Sequence, residues 1–499
     1  MKYILAIDQG TTGSRAIVYD SLGRQVASAY WEFRQYFPKP AWVEHDPAEI
    51  WDSVRITIDE VLRKVSPRDI AAIGITNQRE TAIVWDRLTG KPLCPAIVWQ
   101  DRRTSSRCES LAKDRSAGRM LKRRTGLTLD AYFSATKLEW ILKNVAGART
   151  KAWAGRLCFG TPDSWVLWNL TGGKIHATDY TNASRTMLFN IKAMRWDPDI
   201  LKLFGIHGDM LPQVKRSSGL FGHTAEVSRL PAGIPICGMA GDQQAALFGQ
   251  ACFEPGSLKN TYGTGCFILL NTGRRLITSS HGLITTIACG PIGEPVYALE
   301  GSVFIAGAAI QWLRDGLKIL KNAKESQALA QSLTSNEGVY FVPAFVGLGA
   351  PYWDQNARGA IFGLTRGTQG RHLARAALEA MCYQSRDVFE AMEKDSGLKI
   401  KELRVDGGAC ANDFLMRFQA DILGVKVVRP KVIETTSLGA AYLAGLSQGF
   451  WKNTVQIKKC WQKGQEFKPA MKRSAARRLY SAWKEAVGRT LGTLQHERL

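Results

Sequence analysis

The stretch "AIDQGTTGSR", Ala6 to Arg15, sets an acidic residue, two glycines and two threonines between the apolar runs "KYILAI" and "AIVYDSLG". A hairpin alone needs a turn of only about two or three residues. This turn is longer, and it carries hydroxyls and free backbone donors. Gly10 and Gly13 let the chain fold tightly and approach a ligand closely. The amides of Gly10 to Gly13, with the hydroxyls of Thr11 and Thr12, can form an anion-binding concavity. Asp8, at the end of the first run, can hold a hydrated Mg²⁺ beside phosphates, and Arg15 can neutralise a polyphosphate. A capped Gly-Thr turn explains the same residues without a ligand. The chain has neither the G-x-x-x-x-G-K-[ST] pattern nor a G-x-G-x-x-G after a strand, which excludes those two phosphate loops.

Two further glycine clusters repeat the theme. "TYGTGC", Thr261 to Cys266, offers Gly263, Thr264 and Gly265 as the same kind of donor loop. "VDGGACAN" ends the apolar "LRV" and leads into the helical pattern "DFLMRFQADIL"; Gly407 and Gly408 allow a flat ligand to lie against the backbone, and Asn412 can read a base or ribose edge. Each cluster alone is weak, and three along an alternating chain favour nucleotide binding.

Charges also stand where packing does not ask for them. In "ITNQRETAIVW" Arg79 and Glu80 lie between two apolar strands, where one donor and one acceptor can hold adjacent hydroxyls; a surface ion pair is the alternative. In "MAGDQQAALFG" Asp242 and Gln243 open a helix. Asp242 there is either a cap or a general base toward a substrate hydroxyl. Tyr132 and Trp99 are core residues or cavity walls.

The elements that must position these groups are mixed α/β. Helix start signals stand in "HDPAEIW", with Asp46 as cap, Pro47 at the first position and Glu49 three residues after the cap. "GSLKNTYGTGCFILLNT", Gly256 to Thr272, repeats the opening plan of strand, Gly-Thr turn and strand. At 499 residues the chain exceeds one ordinary core. Two comparable domains meeting near residues 245–256 are expected, with a cleft between them as the small-molecule site. Hydrophobic residues at 45% and charged residues at 22% are those of a globular protein. No apolar run reaches the roughly 18 residues of a membrane span, and Asp8 interrupts any signal-peptide core. Ten cysteines without a C-x-x-C pair point to free thiols in a reducing cytoplasm. The balance of 66 Lys+Arg against 44 Asp+Glu gives +22. With no nucleic-acid motif and the basic residues dispersed, a basic surface that attracts small anions is expected, without specific nucleic-acid binding. "KRSAARR", Lys472 to Arg478, opens a C-terminal helix as a solvated face.

Taken together, these motifs resemble the FGGY carbohydrate kinases, and within that family the glycerol kinases, almost end to end. "DQGTTGSR", "PAWVEHDP", "GITNQRET", "DYTNASRTMLFN", "GDQQAALFGQ", "NTYGTGCF", "GLGAPYWD", "GAIFGLTRG" and "RVDGGACAN" carry the resemblance, with the family's general signatures in "YFSATKLEWILKN" and the stretch from Gly359 through "HLARAALE". The resemblance implies an α/β fold of two ribonuclease-H-like domains of the actin–hexokinase superfamily, residues 1–250 binding polyol and phosphate and 251–499 binding nucleotide, with the catalytic cleft between them. It implies ATP-dependent phosphorylation of glycerol to sn-glycerol 3-phosphate in glycerol catabolism. By the same resemblance Arg79, Glu80, Tyr132, Asp242 and Gln243 hold the triol, Trp99 and Phe267 wall it, and Asp242 is the base. Thr11, Thr12, Gly13 and Arg15 contact phosphates, Thr264 lies near the transferred group, and Gly307, Gln311, Gly408 and Asn412 bind nucleotide. Asp8 and Asp242 position Mg²⁺. Gly13 stands where many relatives carry serine. "GHTAEVSRLPAGIPI" lacks both the loop through which some relatives bind fructose 1,6-bisphosphate and the phosphorylated histidine loop of others, which puts both controls in doubt. A homodimer or homotetramer is implied, without membrane insertion.

Overall fold

The computed structural model describes residues 1–492. Two mixed sheets organise it. The first uses β1 (Tyr3–Gln9), β2 (Gly13–Tyr19), β3 (Gln25–Glu32), β4 (Ile70–Asn77), β5 (Ser218–His223) and β6 (Pro235–Gly241), in the spatial order β5-β6-β4-β1-β2-β3. The second uses β7 (Leu258–Tyr262), β8 (Cys266–Gly273), β9 (Ile284–Cys289), β10 (Pro295–Val303), β11 (Glu402–Asp406), β12 (Lys426–Pro430) and β13 (Lys463–Phe467), in the order β9-β10-β8-β7-β11-β12-β13. Within each sheet the same five-strand unit recurs. β3-β2-β1 and β10-β8-β7 are antiparallel; β4 and β6, and likewise β11 and β12, then continue in parallel. This is the ribonuclease-H-like order expected for both halves.

Sequence chemistry accounts for the elements. β1 lies between β2 and β4 with Ile4 to Ile7 fully buried, so it reads as a continuous apolar run. Helix α1 (Pro47–Leu62) starts where the cap signals place it, with the Ala48 amide donating to Asp46 Oδ1 at 2.8 Å. Glu49 does not return to the cap. It accepts from the Tyr36 hydroxyl at 2.6 Å and the Arg34 amide at 3.1 Å, tying the "QYFPKP" segment to the helix. Ile50, Val54, Ile58 and Val61 form the buried stripe of α1, and three of them pack with Leu5, Ile7 and Ile75 in one core.

The opposite face of the first sheet is covered by α2 (Asp242–Gly249) and by a helix from far along the chain. The helices of the second half that matter here are α3 (Gly307–Asp315), α4 (Gly370–Ser396), α5 (Asp413–Leu423), α6 (Thr435–Ser447) and α7 (Arg473–Gly488). Of these, α6 packs against α2 and the first sheet. A Cβ at Gly439 would stand 1.9 Å from the Ala245 carbonyl oxygen, so only glycine allows this approach. The two halves are thereby fastened behind the cleft. In α7, Arg473, Arg477 and Arg478 are exposed as expected, while Tyr480 and Trp483 are buried and donate to Asp387 at 2.6 and 3.0 Å. All ten cysteines are free thiols. Among the described residues no helix is long and apolar enough to cross a membrane.

Candidate active site

Two cavities share Thr264. The smaller, of about 140 Å³, takes its polar lining from Arg79, Glu80 and Asp242 and its aromatic lining from Trp99, Tyr132 and Phe267; Thr11, Thr264 and Gly265 complete it. The larger, of about 620 Å³, is lined by Gly263, Thr264, Gly307, Gln311, Gly408 and Asn412 among others. Pockets for drug-sized ligands span about 300–1,000 Å³. The larger cavity falls in that range, and the smaller suits a molecule of a few heavy atoms.

Arg79 and Glu80 follow β4 and are buried, not a surface ion pair; their own closest contact is 3.7 Å. Arg79 Nη1 and Nη2 instead donate to Glu300 on β10 at 2.6 and 3.0 Å. Its Nε stands 3.1 Å from Asp242 Oδ1. Glu80 accepts from Arg185 Nε at 2.6 Å, and Arg185 Nη2 lies 3.0 Å from Glu300. Two buried cations are thus balanced by two buried anions, the condition under which charges are tolerated inside a protein. Burial alone would raise the Glu300 carboxyl; Arg185 and Arg79 overcome it and hold that group at about 2. Glu80 goes the other way: burial pushes its carboxyl up, and Arg79 and Arg185 only partly oppose this. Glu80 also has φ +64°, a backbone cost that a residue bears where its side chain must be aimed. Ser134 Oγ donates to its carbonyl at 2.9 Å and helps hold it there.

Asp242 is the first residue of α2. Gly241 occupies the cap position, and no side chain caps the helix, so the cap reading of Asp242 does not hold. Its carboxylate accepts from the Gln243 amide at 2.7 Å and is 30% exposed toward the cavity. Gln243 is buried and does not line the cavity; Lys259 donates to its Oε1, and also to Thr261 Oγ1 at 2.8 Å. Burial depresses the Lys259 ammonium to about 8 despite Asp406 and Asp242 nearby. The aromatic wall is fixed by edge-to-face contacts of Trp99 with Tyr132 and Phe267, at 5.7 and 6.2 Å between centroids. Trp99 Nε1 donates to Thr11 Oγ1 at 2.9 Å and so joins the wall to the first loop.

Each Gly-Thr loop closes with one glycine-to-glycine bond, the first loop being one residue longer than the second. Gly10 donates to the Gly13 carbonyl at 2.9 Å, and Gly263 to that of Gly265 at 2.9 Å. The second loop is clasped by the start of α3, where Ala306 donates to Thr264 at 2.8 Å and Gly307 to Gly263 at 3.0 Å. A Cβ at Gly265 would stand 2.3 Å from the Val303 carbonyl oxygen. Asn412 lines the larger cavity, yet its Oδ1 caps α5 by accepting from Leu415 at 3.0 Å, which leaves only its amide NH₂ for a ligand. Thr12, Gly13 and Arg15 line neither cavity. Arg15 is drawn aside into an ion pair with Glu434, the residue before α6.

Asp8 pairs across the sheet with Arg15. Burial pushes its carboxyl up to about 7; Arg15 opposes this, and Glu434 and Asp242 add to it. Among the described residues no group of three or more His, Cys, Asp or Glu gathers as a metal cage. Mg²⁺ bound through one or two carboxylates, water and phosphate oxygens needs no such cage. Asp8, whose charge burial disfavours, and the partly exposed Asp242 are hard oxygen donors that fit that ion.

The family profile described as the FGGY family of carbohydrate kinases matches in both parts: its N-terminal domain over residues 3–249 and its C-terminal domain over 258–447. The chain belongs to the FGGY family of carbohydrate kinases. A protein named glycerol kinase 2 of Thermotoga maritima is 60% identical over 494 residues, 99% of each chain. One named glycerol kinase of Caldanaerobacter subterraneus subsp. tengcongensis is 58% identical, with 98% of this chain and 99% of that one covered. The crystal structure of Plasmodium falciparum glycerol kinase with ADP is similar at a TM-score of 0.90, 37% identical and covering 99% of both chains.

Three residues of this FGGY site escape a reading of the sequence: Glu300, Arg185 and Lys259. Their signal is present in retrospect. Each is a lone charge among apolar or small residues, in "YALEGSVF", "NASRTMLF" and "SLKNTYG", where a buried charge demands a partner.

Proposed function

We propose that this chain is an ATP-dependent glycerol kinase, transferring the terminal phosphoryl group of ATP to a primary hydroxyl of glycerol to give sn-glycerol 3-phosphate and ADP. The observation that carries the reading is the pair of cavities joined at Thr264, one sized and charged for a small polyol and one for a nucleotide. The relatives named glycerol kinase support it.

In this reading Arg79 donates to one hydroxyl of glycerol and Glu80 accepts from the next. Trp99, Tyr132 and Phe267 cover the carbon chain, and Gln243, behind the cavity, acts on the triol only through its backbone amide, which donates to Asp242. Asp242 takes the proton of the reacting hydroxyl. Phosphoryl transfer asks for alignment and charge neutralisation more than for covalent help. The amides and hydroxyls of Thr11, Thr12, Gly13 and Thr264, with Arg15, supply donors to the phosphates. Gly307, Gln311, Gly408 and Asn412 hold the nucleoside. Arg15 exchanges Glu434 for phosphate when ATP enters. Asp8 and Asp242 would hold Mg²⁺, which would supply charge neutralisation at the phosphates. A polar pair on each hydroxyl also rejects deoxy analogues, because a buried unpaired partner costs about 1–3 kcal/mol. The ten free thiols support a reducing, cytoplasmic setting.

The test is ADP release with ATP, Mg²⁺ and, in turn, glycerol, dihydroxyacetone, erythritol, xylulose and no polyol. Turnover is expected to be fastest with glycerol and near zero without a polyol. Preference for another polyol would reassign the aromatic wall. Release indifferent to all of them would end the kinase reading.

A further inference from the structure

One row of residues runs across three strands of the first sheet. Asp8 on β1 pairs with Arg15 on β2, and Arg15 pairs with Tyr30 on β3. Directly opposed residues share a face of the sheet. The other face belongs to α1, toward which Ser14 points with a 2.7 Å bond to Ser53. Tyr30 therefore stands on the face of Asp8 and Arg15. Its ring centroid is 5.3 Å from the Arg15 guanidinium, and its hydroxyl is 3.4 Å from Thr12 Oγ1.

Room for the phenol comes from Gly13. A Cβ at that position would lie 2.7 Å from the Tyr30 hydroxyl and 2.8 Å from its Cε2, besides 2.6 Å from the Trp31 carbonyl oxygen. Burial in the core does not explain the tyrosine, because β3 is an edge strand and the side chain is 43% exposed. Its hydroxyl instead hangs over the loop whose donors were assigned to phosphate.

We propose that Tyr30 is a further phosphate-contacting residue: its hydroxyl donates to the ATP phosphates beside Thr12 and Arg15. The inference rests on the kinase reading above. A neutral donor meeting an anionic oxygen makes a charge-assisted bond, stronger than a neutral one.

The test is Tyr30→Phe, which keeps the ring and removes the hydroxyl. MgATP binding is measured by titration calorimetry, with KM for ATP, KM for glycerol and Tm alongside. The MgATP dissociation constant and KM for ATP are expected to rise about tenfold, the scale of one hydrogen bond to a charged group, with glycerol KM and Tm unchanged. Unchanged MgATP affinity would overturn the proposal. A parallel loss of glycerol affinity or of Tm would also overturn it, by making the hydroxyl a packing element. If the unaltered protein releases no ADP with glycerol, the kinase reading fails instead, so the two failures are distinct.

Discussion

The two cavities that meet at Thr264 are built from opposite materials. The smaller is framed by full charges that reach it from distant segments, Arg79 and Asp242 from the first half and Glu300 behind them from the second. The larger is framed mostly by glycines, amides and neutral side chains on neighbouring elements of the second half, with Arg314 and Lys324 as its charged members. A charged frame fixes each hydroxyl and punishes a misfit, since every partner left unpaired is costly. A backbone frame accepts a flat ligand by shape and gives up little when one side chain changes. Substitutions should therefore act steeply in the first cavity and shallowly in the second.

The steepest expected effect is Asp242→Asn. Loss of the base should lower kcat on the order of 10²- to 10⁴-fold, while glycerol binding stays largely intact, because Arg79 keeps Glu300 as its partner. Glycerol binding by calorimetry and turnover by ADP release separate the two quantities. Near-normal turnover would remove Asp242 from the base role.

Glu300→Gln comes next and acts on structure as well as binding. It leaves Arg79 and Arg185 without their shared buried carboxylate, and breaking a buried pair from one side costs about 3–5 kcal/mol. Tm should fall, and KM for glycerol should rise as Arg79 loses its aim. The acid range gives an independent check. The folded-state pKa is lowered from 4.5 to about 2, so this group's stabilisation is complete above pH 4.5 and is lost as pH falls toward 2. A plot of Tm against pH should be shallower over that window in the variant. Equal slopes would show that the carboxylate is not held by the arginines.

Legibility in the sequence divides along the same line as the cavities. The larger cavity was readable because glycine loops announce backbone chemistry locally, as at Gly263 and Gly408, which line it. Asp46 and Pro47 likewise placed α1, and "LRVDGG" and "DFLMRFQADIL" gave β11 and α5 within a residue or two. The charged frame was half readable. Arg79, Glu80 and Asp242 stand at strand or helix ends, where position alone raises the question of chemistry. What neutralises them is not local. Arg79, Arg185 and Glu300 converge from three elements separated by about a hundred residues each, and only the fold brings them within hydrogen-bonding distance. For the same reason the sequence could not tell that Arg15 rests on Glu434 or that Lys259 holds Gln243.

The shallowest effect belongs to Asn412, and it sharpens the contrast because the residue has two separable jobs. Its Oδ1 caps α5, and its NH₂ faces Ser326 at 3.4 Å beside the larger cavity. Asn412→Ala removes both, and loss of a cap costs about 1 kcal/mol, so a modest fall in Tm should accompany any rise in KM for ATP. Asn412→Asp keeps the cap acceptor, removes the donor and sets a charge against the nucleoside. If the amide contributes to nucleotide binding, Asn412→Asp should retain Tm and raise KM for ATP a few-fold, the scale of one hydrogen bond of about 1 kcal/mol. If Asn412 is only a cap, Asn412→Ala should lose Tm with KM for ATP unchanged. Either way the change stays small beside that of Asp242→Asn, as a cavity framed by backbone requires.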